Sequence, residues 1–280
     1  MLFRSKLLDA SFVLAEQAHH DDRHAAACGL ADPGKTEAWY MLHTRPDSTI
    51  DCGNTPGLTR GRLVDAILAG RARQCMNPVP VAPGDAFLLY AGTMHHADGG
   101  VLFYEIMQNS DVYIDLRAPD PALPSDRRRH LADTAADGVD LEDNADFRGR
   151  PISWRQGNNT RTMVLACRHF ALERLDLKEP YWLAGDGRRF RVLTLIAGRL
   201  RIVAGEGVET LDAGQSCLIP AELTAARLEP DPVCSVLQGW TPDLATCIIE
   251  PLRARGCADA DIIALGGRTA RNDLAATAAR

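Results

Sequence analysis

The chain has 280 residues, 46% of them hydrophobic and 24% charged, which is typical of a folded globular protein and not of a disordered or collagen-like chain. Its formal net charge of −6 argues against a general nucleic-acid binder, since such proteins carry a basic patch. The sequence has no apolar run of the roughly 18 to 20 residues that a membrane-spanning helix needs, and its eight cysteines form no CxxC pair. We therefore predict a cytoplasmic protein with reduced thiols that binds neither nucleic acid nor a membrane.

Short β-strands separated by glycine and proline dominate the first part of the chain. We predict them at residues 37–43, 86–90, 101–107 and 111–116. One helix interrupts these strands, because Thr59 is a typical N-terminal cap. The apolar face of this helix follows at helical spacing: Leu63, Val64, Ile67 and Leu68.

The middle of the chain changes in composition. Residues 118–151 are polar, rich in aspartate and proline, and nearly free of apolar periodicity, so we predict a linker with a short helix near 127–135. Further strands are predicted at residues 163–167, 190–196, 200–203 and 234–237. A tight turn at residues 197–199 would join two of these strands. A helix is predicted after Trp240, and a loosely held tail from Thr269 on.

An internal repeat connects the two β-rich blocks. Residues 82–95 align with residues 212–225 at a constant offset of 130 and without a gap. The alignment places His95 opposite Ala225. It indicates two copies of one small β-barrel, of which only the first keeps its histidine. Chance similarity between two segments of the glycine-turn-strand type is the alternative.

Six of the eight histidines lie in the first 96 residues, so we expect imidazole chemistry there. If residues 13–19 form a strand, Gln17 and His19 point to the same face. Glu37 opens the next strand, and His95 follows a glycine turn. Two imidazoles, one carboxylate and one amide oxygen suit Zn²⁺ with an open position, and Mn²⁺ or Fe²⁺ also fits this set. The alternative is that these are surface or core residues, as isolated histidines more often are.

Four segments, taken in order, resemble the short bacterial type of class I mannose-6-phosphate isomerase, a zinc-dependent family of the cupin superfamily. They are KLLDASFVLAEQAHHDD, PGKTEAWYML, PVPVAPGDAFLLYAGTMHHA and YEIMQNSDV. These segments are similar to the family's QVHPDD, GKTE(C/A)WY, VKPGD…PAGTxHA and EIQQNSD motifs. Each motif alone is weak evidence, but the ordered set is specific.

The resemblance implies a metal site and an activity. The zinc ligands would be Gln17, His19, Glu37 and His95, and Lys35 would lie beside the substrate. The family interconverts an aldose and a ketose through a cis-enediol, with a base that moves a proton between C1 and C2. The fold implied is mainly β, with two cupin (jelly-roll-like) barrels, a few short helices and a helical C-terminal tail.

We predict four parts along the chain. A metal-binding barrel occupies residues 1–117, a linker 118–151, a second, metal-free barrel 152–240 and a helical extension 241–280. The family segment that precedes the first ligand strand is missing here. The first barrel is therefore expected to be incomplete, rebuilt from the C-terminal tail, or completed by a partner.

Other departures from the family pattern concern the substrate. Asp115 stands where the family places an active-site arginine, and Arg117 would have to substitute for it. Two additional histidines, His20 and His96, are expected to be solvated, although each could also supply a further ligand or base. Asp21 and the residue after it are expected to shape the loop rather than take part in chemistry.

The sequence thus predicts a metal-dependent sugar-phosphate isomerase of the mannose-6-phosphate type, with Lys35 and Arg117 as catalytic residues. Its small-molecule partner would be a sugar or a sugar phosphate. A homodimer is a possible assembly of the chain. One alternative is a metal-binding cupin that acts on a different sugar or small polar metabolite without phosphate. The other is a non-catalytic sugar-binding relative. Loss of the family arginine favours both alternatives, whereas retention of all four ligands and Lys35 argues against the inactive one.

Overall fold

The computed structural model describes residues 3–11, 13–142 and 145–279. The chain forms two compact units, and the prediction of a mainly β fold is confirmed. The first unit contains the described residues up to Arg148 together with Gly267–Asn272. The second contains Gly149–Gly266 and the described residues from Asp273 on. Within the described ranges, no helix is both long enough and apolar enough to span a membrane.

The first unit consists of short strands, three helices in its described part and one 3₁₀ turn, Ala72–Cys75. Its strands are β1 (Phe3–Ala10), β2 (Gln17–Ala18), β3 (Glu37–Thr44), β4 (Thr49–Asn54), β5 (Met76–Pro80), β6 (Ala86–Leu89), β7 (His95–Ala97), β8 (Val101–Gln108) and β9 (Ile114–Asp115). Its helices are α1 (Asp22–Ala27), α2 (Arg60–Leu68) and α3 (Ser125–Asp137).

Two antiparallel sheets make up the first unit, in the orders β1-β8-β3-β6 and β5-β4-β7-β2-β9. Glu37 and Trp39 on β3 both contact His95 on β7, so the sheets face each other at this point. β3 is a central strand, paired with β6 on one side and β8 on the other. The candidate ligands therefore lie between two sheets and are positioned by buried backbone.

Most predicted elements of the first unit are present. β3, β6 and β8 match the predicted strands, and Thr59 caps α2 by accepting a hydrogen bond from the Arg62 N–H. The two remaining strand predictions are only partly met, because the predicted strand 13–19 is reduced to Gln17–Ala18 and the predicted strand 111–116 to Ile114–Asp115.

The predicted linker is instead folded into the first unit, and the chain divides after Arg148 rather than after residue 117. α3 lies within the segment, and its Ala132 and Ala136 are buried in one core cluster with α2. Alanines four residues apart give a helix a narrow apolar face. This face is too small to stand out from the surrounding aspartate and arginine, which explains why the sequence indicated a linker.

The second unit contains one large antiparallel sheet and short C-terminal helices. Its strands are β10 (Ile152–Gln156), β11 (Asn159–Ala166), β12 (Ala171–Leu177), β13 (Tyr181–Ala184), β14 (Arg191–Ala204), β15 (Gly207–Asp212), β16 (Ser216–Ile219) and β17 (Ala225–Trp240). A π-helical turn, Ala245–Ile249, precedes α4 (Glu250–Arg253), α5 (Asp259–Ala264) and α6 (Asp273–Ala278).

Two local predictions for the second half are wrong. The segment 197–199 is not a turn but lies inside the continuous strand β14, where the pairing register shifts on both sides of Gly198. Gly198 has a φ of +79°, which allows this bulge without the strain that a side chain would cause. The C-terminal residues are not a loose tail, because α6 buries Asp273 and Leu274.

The internal repeat is visible in the structure. β6 begins at Ala86 and β16 at Ser216, so these two strands start 130 residues apart. β7 begins at His95 and β17 at Ala225, which gives the same separation. The turn glycines that precede β6 and β16 also have similar φ angles of +94° and +91°. Chance similarity is therefore not needed to explain the alignment.

The second unit has a charged pair inside it. Glu173 on β12 is fully buried and accepts hydrogen bonds from Arg161 Nε (2.6 Å) and Nη2 (3.1 Å). Gln238 on β17 donates a further hydrogen bond to the same carboxylate. The Arg161 guanidinium also lies over the Trp154 and Tyr181 rings. Each charge is thus compensated by protein groups.

We expect Arg161→Met to lower the free energy of unfolding of the second unit by about 3 to 5 kcal/mol, because it leaves the Glu173 carboxylate buried without its cation. Urea denaturation measures this change. Arg199→Met is the matched control, since the Arg199–Asp212 pair is exposed and such pairs contribute about 1 kcal/mol or less. Equal effects of the two substitutions would contradict this role of the buried pair.

Candidate metal centre

His19, Glu37 and His95 converge inside the first unit. Each offers one ligand atom, and these three atoms lie within 4.8 Å of one another. Glu37 Oε2 is 3.3 Å from His19 Nε2, and Glu37 Oε1 is 3.2 Å from His95 Nε2. All three side chains are buried, and Glu37 is 0% exposed. The structure therefore brings together three of the four residues that the sequence predicts as ligands in one water-poor pocket.

Gln17, the fourth predicted ligand, lies at the same place. Its side-chain amide nitrogen is 3.1 Å from His95 Nε2, and the two residues are paired across β2 and β7. A half-turn of the amide group would bring its oxygen to the position now taken by the nitrogen. The structure thus places Gln17 within reach of an ion that touches His95.

The orientation of His95 is set by the backbone. Its Nδ1 lies 2.9 Å from the carbonyl oxygen of Thr93, which can only accept a hydrogen bond. Nδ1 therefore carries the proton, and the lone pair is on Nε2, which faces Glu37. The ring also packs edge-on against Trp39, with centroids 5.4 Å apart. This is the tautomer and the ring position that a metal ligand requires.

Burial keeps His19 neutral. It lowers the pKa of His19 to about 4, although the neighbouring Glu37 carboxylate acts in the opposite direction. Burial alone would raise the pKa of Glu37, but the neighbouring Lys35 ammonium group holds it well below its usual range. At neutral pH the cluster thus offers uncharged imidazole and a carboxylate, the protonation states that bind a cation.

The cluster contains polar atoms that no protein group satisfies. In the described part of the chain, both ring nitrogens of His19 and Glu37 Oε1 lack a partner in hydrogen-bonding geometry, whereas Glu37 Oε2 is ion-paired with Lys35. Buried polar atoms of this kind cost free energy unless something binds them. Two imidazoles, a carboxylate and an amide oxygen are the donor set of a divalent transition metal such as Zn²⁺. The residues therefore fit the metal that the resemblance implies.

Lys35 is held next to the cluster by the loop that precedes β3. Its Nζ is 2.6 Å from Glu37 Oε2, and its backbone N–H donates to the carbonyl oxygen of His20. Gly34 makes this close approach feasible, because a Cβ at this position would lie 2.4 Å from backbone atoms of Asp21 and Asp22. The structure thus places Lys35 directly beside Glu37.

The two aspartates after the ligand strand build the same loop, as expected. Asp21 caps α1 by accepting from the His24 N–H at 2.6 Å. Asp22 accepts from the Gly34 N–H (2.9 Å) and from the Gln108 side-chain amide (3.0 Å). These bonds connect the segment after His19 to the segment that carries Lys35.

Arg117 lies elsewhere in the first unit. Its guanidinium is 58% exposed and bonded to the Asp115 carboxylate, with a shortest contact of 2.6 Å. The hydrogen bonds from Arg117 lower the pKa of Asp115, so this carboxyl is ionised at neutral pH. The two residues border a cavity of about 390 Å³, to which His20 and Tyr113 also contribute. Asp115 pairs with Gln17 across β9 and β2, which puts this cavity next to the ligand strand.

The expectation that the additional histidines are solvated is wrong. His96 is 1% exposed, and its Nδ1 is 2.9 Å from Asp51 Oδ2. Asp51 in turn pairs with Arg73 at 2.7 Å. His96 is therefore a structural residue on the strand face opposite to His95, since successive strand residues point to opposite faces. His20 is partly buried.

Sequence reasoning missed Arg271. This residue of the C-terminal segment donates hydrogen bonds to the Ala91 carbonyl oxygen and, at 3.2 Å, to Thr93 Oγ1. Its guanidinium also lies over the Tyr90 ring. It thereby supports the turn whose carbonyl oxygen orients His95. Nothing in the sequence indicates this contact, because some 180 residues separate Arg271 from the turn.

Comparisons with known proteins agree with the geometry. No protein-family model matches the chain. Mannose-6-phosphate isomerase ManA of Bacillus subtilis is 28% identical over 232 residues, which cover 83% of this chain and 73% of that protein. A probable mannose-6-phosphate isomerase of the same organism, GmuF, is 36% identical over 106 residues, or 38% of this chain and 33% of that protein. The mannose-6-phosphate isomerase of Streptococcus mutans is 25% identical over 236 residues, which cover 81% of this chain and 71% of that protein.

The chain is a homologue of the mannose-6-phosphate isomerases. The crystal structure of the Bacillus subtilis enzyme superposes with a TM-score of 0.72 at 22% identity, over 85% of this chain and 74% of that one. The structure of a phosphomannose isomerase variant from Salmonella typhimurium superposes with a TM-score of 0.66 at 15% identity, over 85% of this chain and 79% of that chain. At these identities the likeness concerns the fold, and it confirms the predicted cupin architecture.

We expect Gly34→Ala to lower the free energy of unfolding by about 1 to 3 kcal/mol, because the added Cβ must displace the backbone of the facing loop. Thermal unfolding checks this value. Gly61→Ala on α2 is the control: its Cβ meets nothing within 4 Å, and alanine favours a helix by up to about 1 kcal/mol. A Gly34→Ala protein as stable as the wild type would show that the loop is not held as described.

Proposed function

We propose that this protein is a metal-dependent aldose–ketose isomerase that interconverts mannose 6-phosphate and fructose 6-phosphate. The observation that carries the proposal is the buried cluster of His19, Glu37 and His95, in which His19 is neutral and Glu37 is ionised, with Lys35 Nζ 2.6 Å from that carboxylate. The homologous enzymes are named for this reaction. A reducing compartment such as the cytoplasm suits the chain, since all eight cysteines are free.

The metal would be held by His19, Glu37 and His95, with the amide oxygen of Gln17 as fourth ligand. Zn²⁺ is the proposed ion, because it prefers imidazole and carboxylate ligands and leaves a position for substrate. A bound divalent cation would act as a Lewis acid on the sugar oxygens. Glu37 has a second role, since its carboxylate also orients the Lys35 ammonium group.

Lys35 is the group proposed to move protons at the substrate. In the direction from mannose to fructose, the C2 proton leaves, its electron pair forms the C1=C2 double bond, and the carbonyl oxygen on C1 takes up a proton. The cis-enediol then loses the proton on O2 and gains one at C1, so no other reagent is consumed. The Lys35 side chain is 11% exposed, so its amino group would exchange protons in a site that water reaches poorly.

The phosphate is proposed to be bound by Arg117 at the cavity beside β2. Arg117 already pairs with Asp115, and this carboxylate competes with phosphate for the guanidinium. A charge-assisted hydrogen bond contributes about 1.5 to 3 kcal/mol, so the competition weakens phosphate binding by roughly one to two orders of magnitude. The same pairing supports the second candidate function, turnover of a sugar without phosphate on the same metal.

The option of a homodimer stays a prediction.

The proposed ligand set predicts that His95→Ala loses one equivalent of zinc. Loss of a direct ligand weakens binding by more than about 100-fold, given that loss of an outer partner alone costs about 10- to 100-fold. Elemental analysis after dialysis measures the stoichiometry, and His130→Ala on the exposed face of α3 is the control. Zinc that stays at the wild-type amount in His95→Ala would place the ion elsewhere.

For Lys35→Met we expect kcat/KM for mannose 6-phosphate to fall by about 10²- to 10⁴-fold, the usual contribution of a general acid–base group. Zinc content should remain unchanged, because Lys35 donates no ligand atom. Lys178→Met, which alters an exposed lysine of the second unit, should keep full activity. An active Lys35→Met enzyme would remove this residue from the chemistry.

Removal of the Asp115 carboxylate, which pairs with Arg117, should improve phosphate binding. Asp115→Asn is expected to lower KM for mannose 6-phosphate by about tenfold, and Asp115→Arg to do so at least as strongly. The double variant Asp115→Asn/Arg117→Ala separates the causes, since it should lose the improvement. Steady-state kinetics at constant ionic strength measure the effect. If the double variant keeps the gain, Arg117 does not bind the phosphate.

A further inference from the structure

A second group of metal-binding side chains begins one residue after His19. His20, His24 and Cys28 each offer one ligand atom, and these three atoms lie within 4.8 Å of one another. The two imidazole rings meet edge to face, with centroids 4.6 Å apart and an interplanar angle of 78°. The histidines are partly buried and the thiol is exposed. The group thus combines convergent donors with access from solvent.

The local fold explains why these side chains converge. They follow one another at intervals of four residues, and residues four apart share one face of a helix. Of the three residues, only His24 lies within α1 (Asp22–Ala27), while Cys28 is its C-cap and His20 directly precedes its N-cap, Asp21. Asp21 accepts from the His24 N–H at the start of α1, and the Cys28 N–H bonds to the His24 carbonyl oxygen at 2.9 Å at its end. Hydrogen bonds within the segment thus hold the backbone from Asp21 to Cys28, and the Lys35 N–H holds the carbonyl oxygen of His20.

An unsatisfied buried atom points to a ligand here. In the described residues, His20 Nδ1 is buried and has no hydrogen-bond partner. His96, the other additional histidine, differs because its Nδ1 contacts Asp51. A buried ring nitrogen without a partner costs free energy, and a bound cation would remove that cost.

We propose that His20, His24 and Cys28 bind a thiophilic divalent cation of the zinc class. Two imidazoles and one thiolate supply three corners of a tetrahedral site, and water would complete it. Hard cations such as Mg²⁺ and Ca²⁺ prefer oxygen ligands, so this donor set discriminates against them. Donor atoms of tetrahedral zinc lie about 3.5 Å apart, and the three donor atoms here all lie within 4.8 Å of one another.

The site has a consequence for its surroundings. His20 follows His19 directly, and its carbonyl oxygen accepts from the Lys35 N–H. A cation on the His20 ring would restrict the backbone that joins these two residues. The binding proposal itself does not depend on the isomerase activity.

Cobalt titration of the full-length, metal-free, reduced protein tests the proposal. Co²⁺ bound to a thiolate gives a sulfur-to-metal charge-transfer absorption in the near ultraviolet, whereas the cluster around Glu37 contains no cysteine and cannot give it. We expect two bound equivalents and this absorption in the wild type. Cys28→Ser and His24→Ala should each lose the absorption and one equivalent.

Two controls make the titration decisive. Cys257→Ser changes a partly exposed thiol of the second unit and should keep both the absorption and the stoichiometry. His95→Ala should keep the absorption while it loses the other equivalent, so the two sites are read separately. Alkylation of the folded wild type at Cys28 repeats the test without a substitution. Absence of the absorption in the wild type, or its persistence in Cys28→Ser, would overturn the proposal.

Discussion

A carboxylate without solvent contact, Glu37, sets the demands that the rest of the first unit meets. An ionised group at 0% exposure needs compensation from cations or donors, because desolvation of a charge is costly. Lys35 supplies the positive charge at 2.6 Å. The His19 imidazole does not, since burial lowers its pKa to about 4. The Glu37 cluster thus has one protein cation beside its carboxylate and a donor set that suits a divalent metal.

The backbone around Glu37 is organised to keep this arrangement in place. β3 is paired on both sides, which fixes the carboxylate, and Thr93 fixes the tautomer of His95. Gly34 and Asp22 hold the loop that carries Lys35. These are supports outside the ligand set, and such partners usually determine how well a metal site works.

The second unit shows the same strand frame with a different interior. The segment that aligns with β7 begins with Ala225 in place of His95. Glu173 inside this unit is compensated by Arg161 and Gln238, so its charge is satisfied by protein groups alone. We infer that duplication preserved the barrel, while the demand for a metal ion remained in the first copy. Among the described residues, both groups able to hold a metal lie in the first unit.

Periodicity and motif order predicted the strands around the site, the repeat, and the convergence of Gln17, His19, Glu37 and His95. The ordered motifs located these four residues because each lies in a strand or directly beside one. Predictions were wrong where long-range contacts decide the structure. The helix predicted near 127–135 is present as α3, but its segment was taken for a linker because only small alanines of α3 face the core. Arg271 was missed because it acts on a turn that is distant in sequence. His96 was misjudged since its partner, Asp51, lies on another strand.

The central claim is that the Glu37 cluster, loaded with a divalent metal, moves a proton between C1 and C2 of a sugar phosphate. Nuclear magnetic resonance of mannose 6-phosphate deuterated at C2 tests it most directly. We predict that zinc-loaded protein transfers the deuteron to C1 of fructose 6-phosphate or releases it to water. Removal of the metal with a chelator should stop the loss of deuterium from C2, and added zinc should restore this loss. The Glu37→Gln variant should leave the C2 deuterium in place. A zinc-loaded wild type that leaves the C2 deuteron in place, or a loss of label that continues after chelation, would contradict the account.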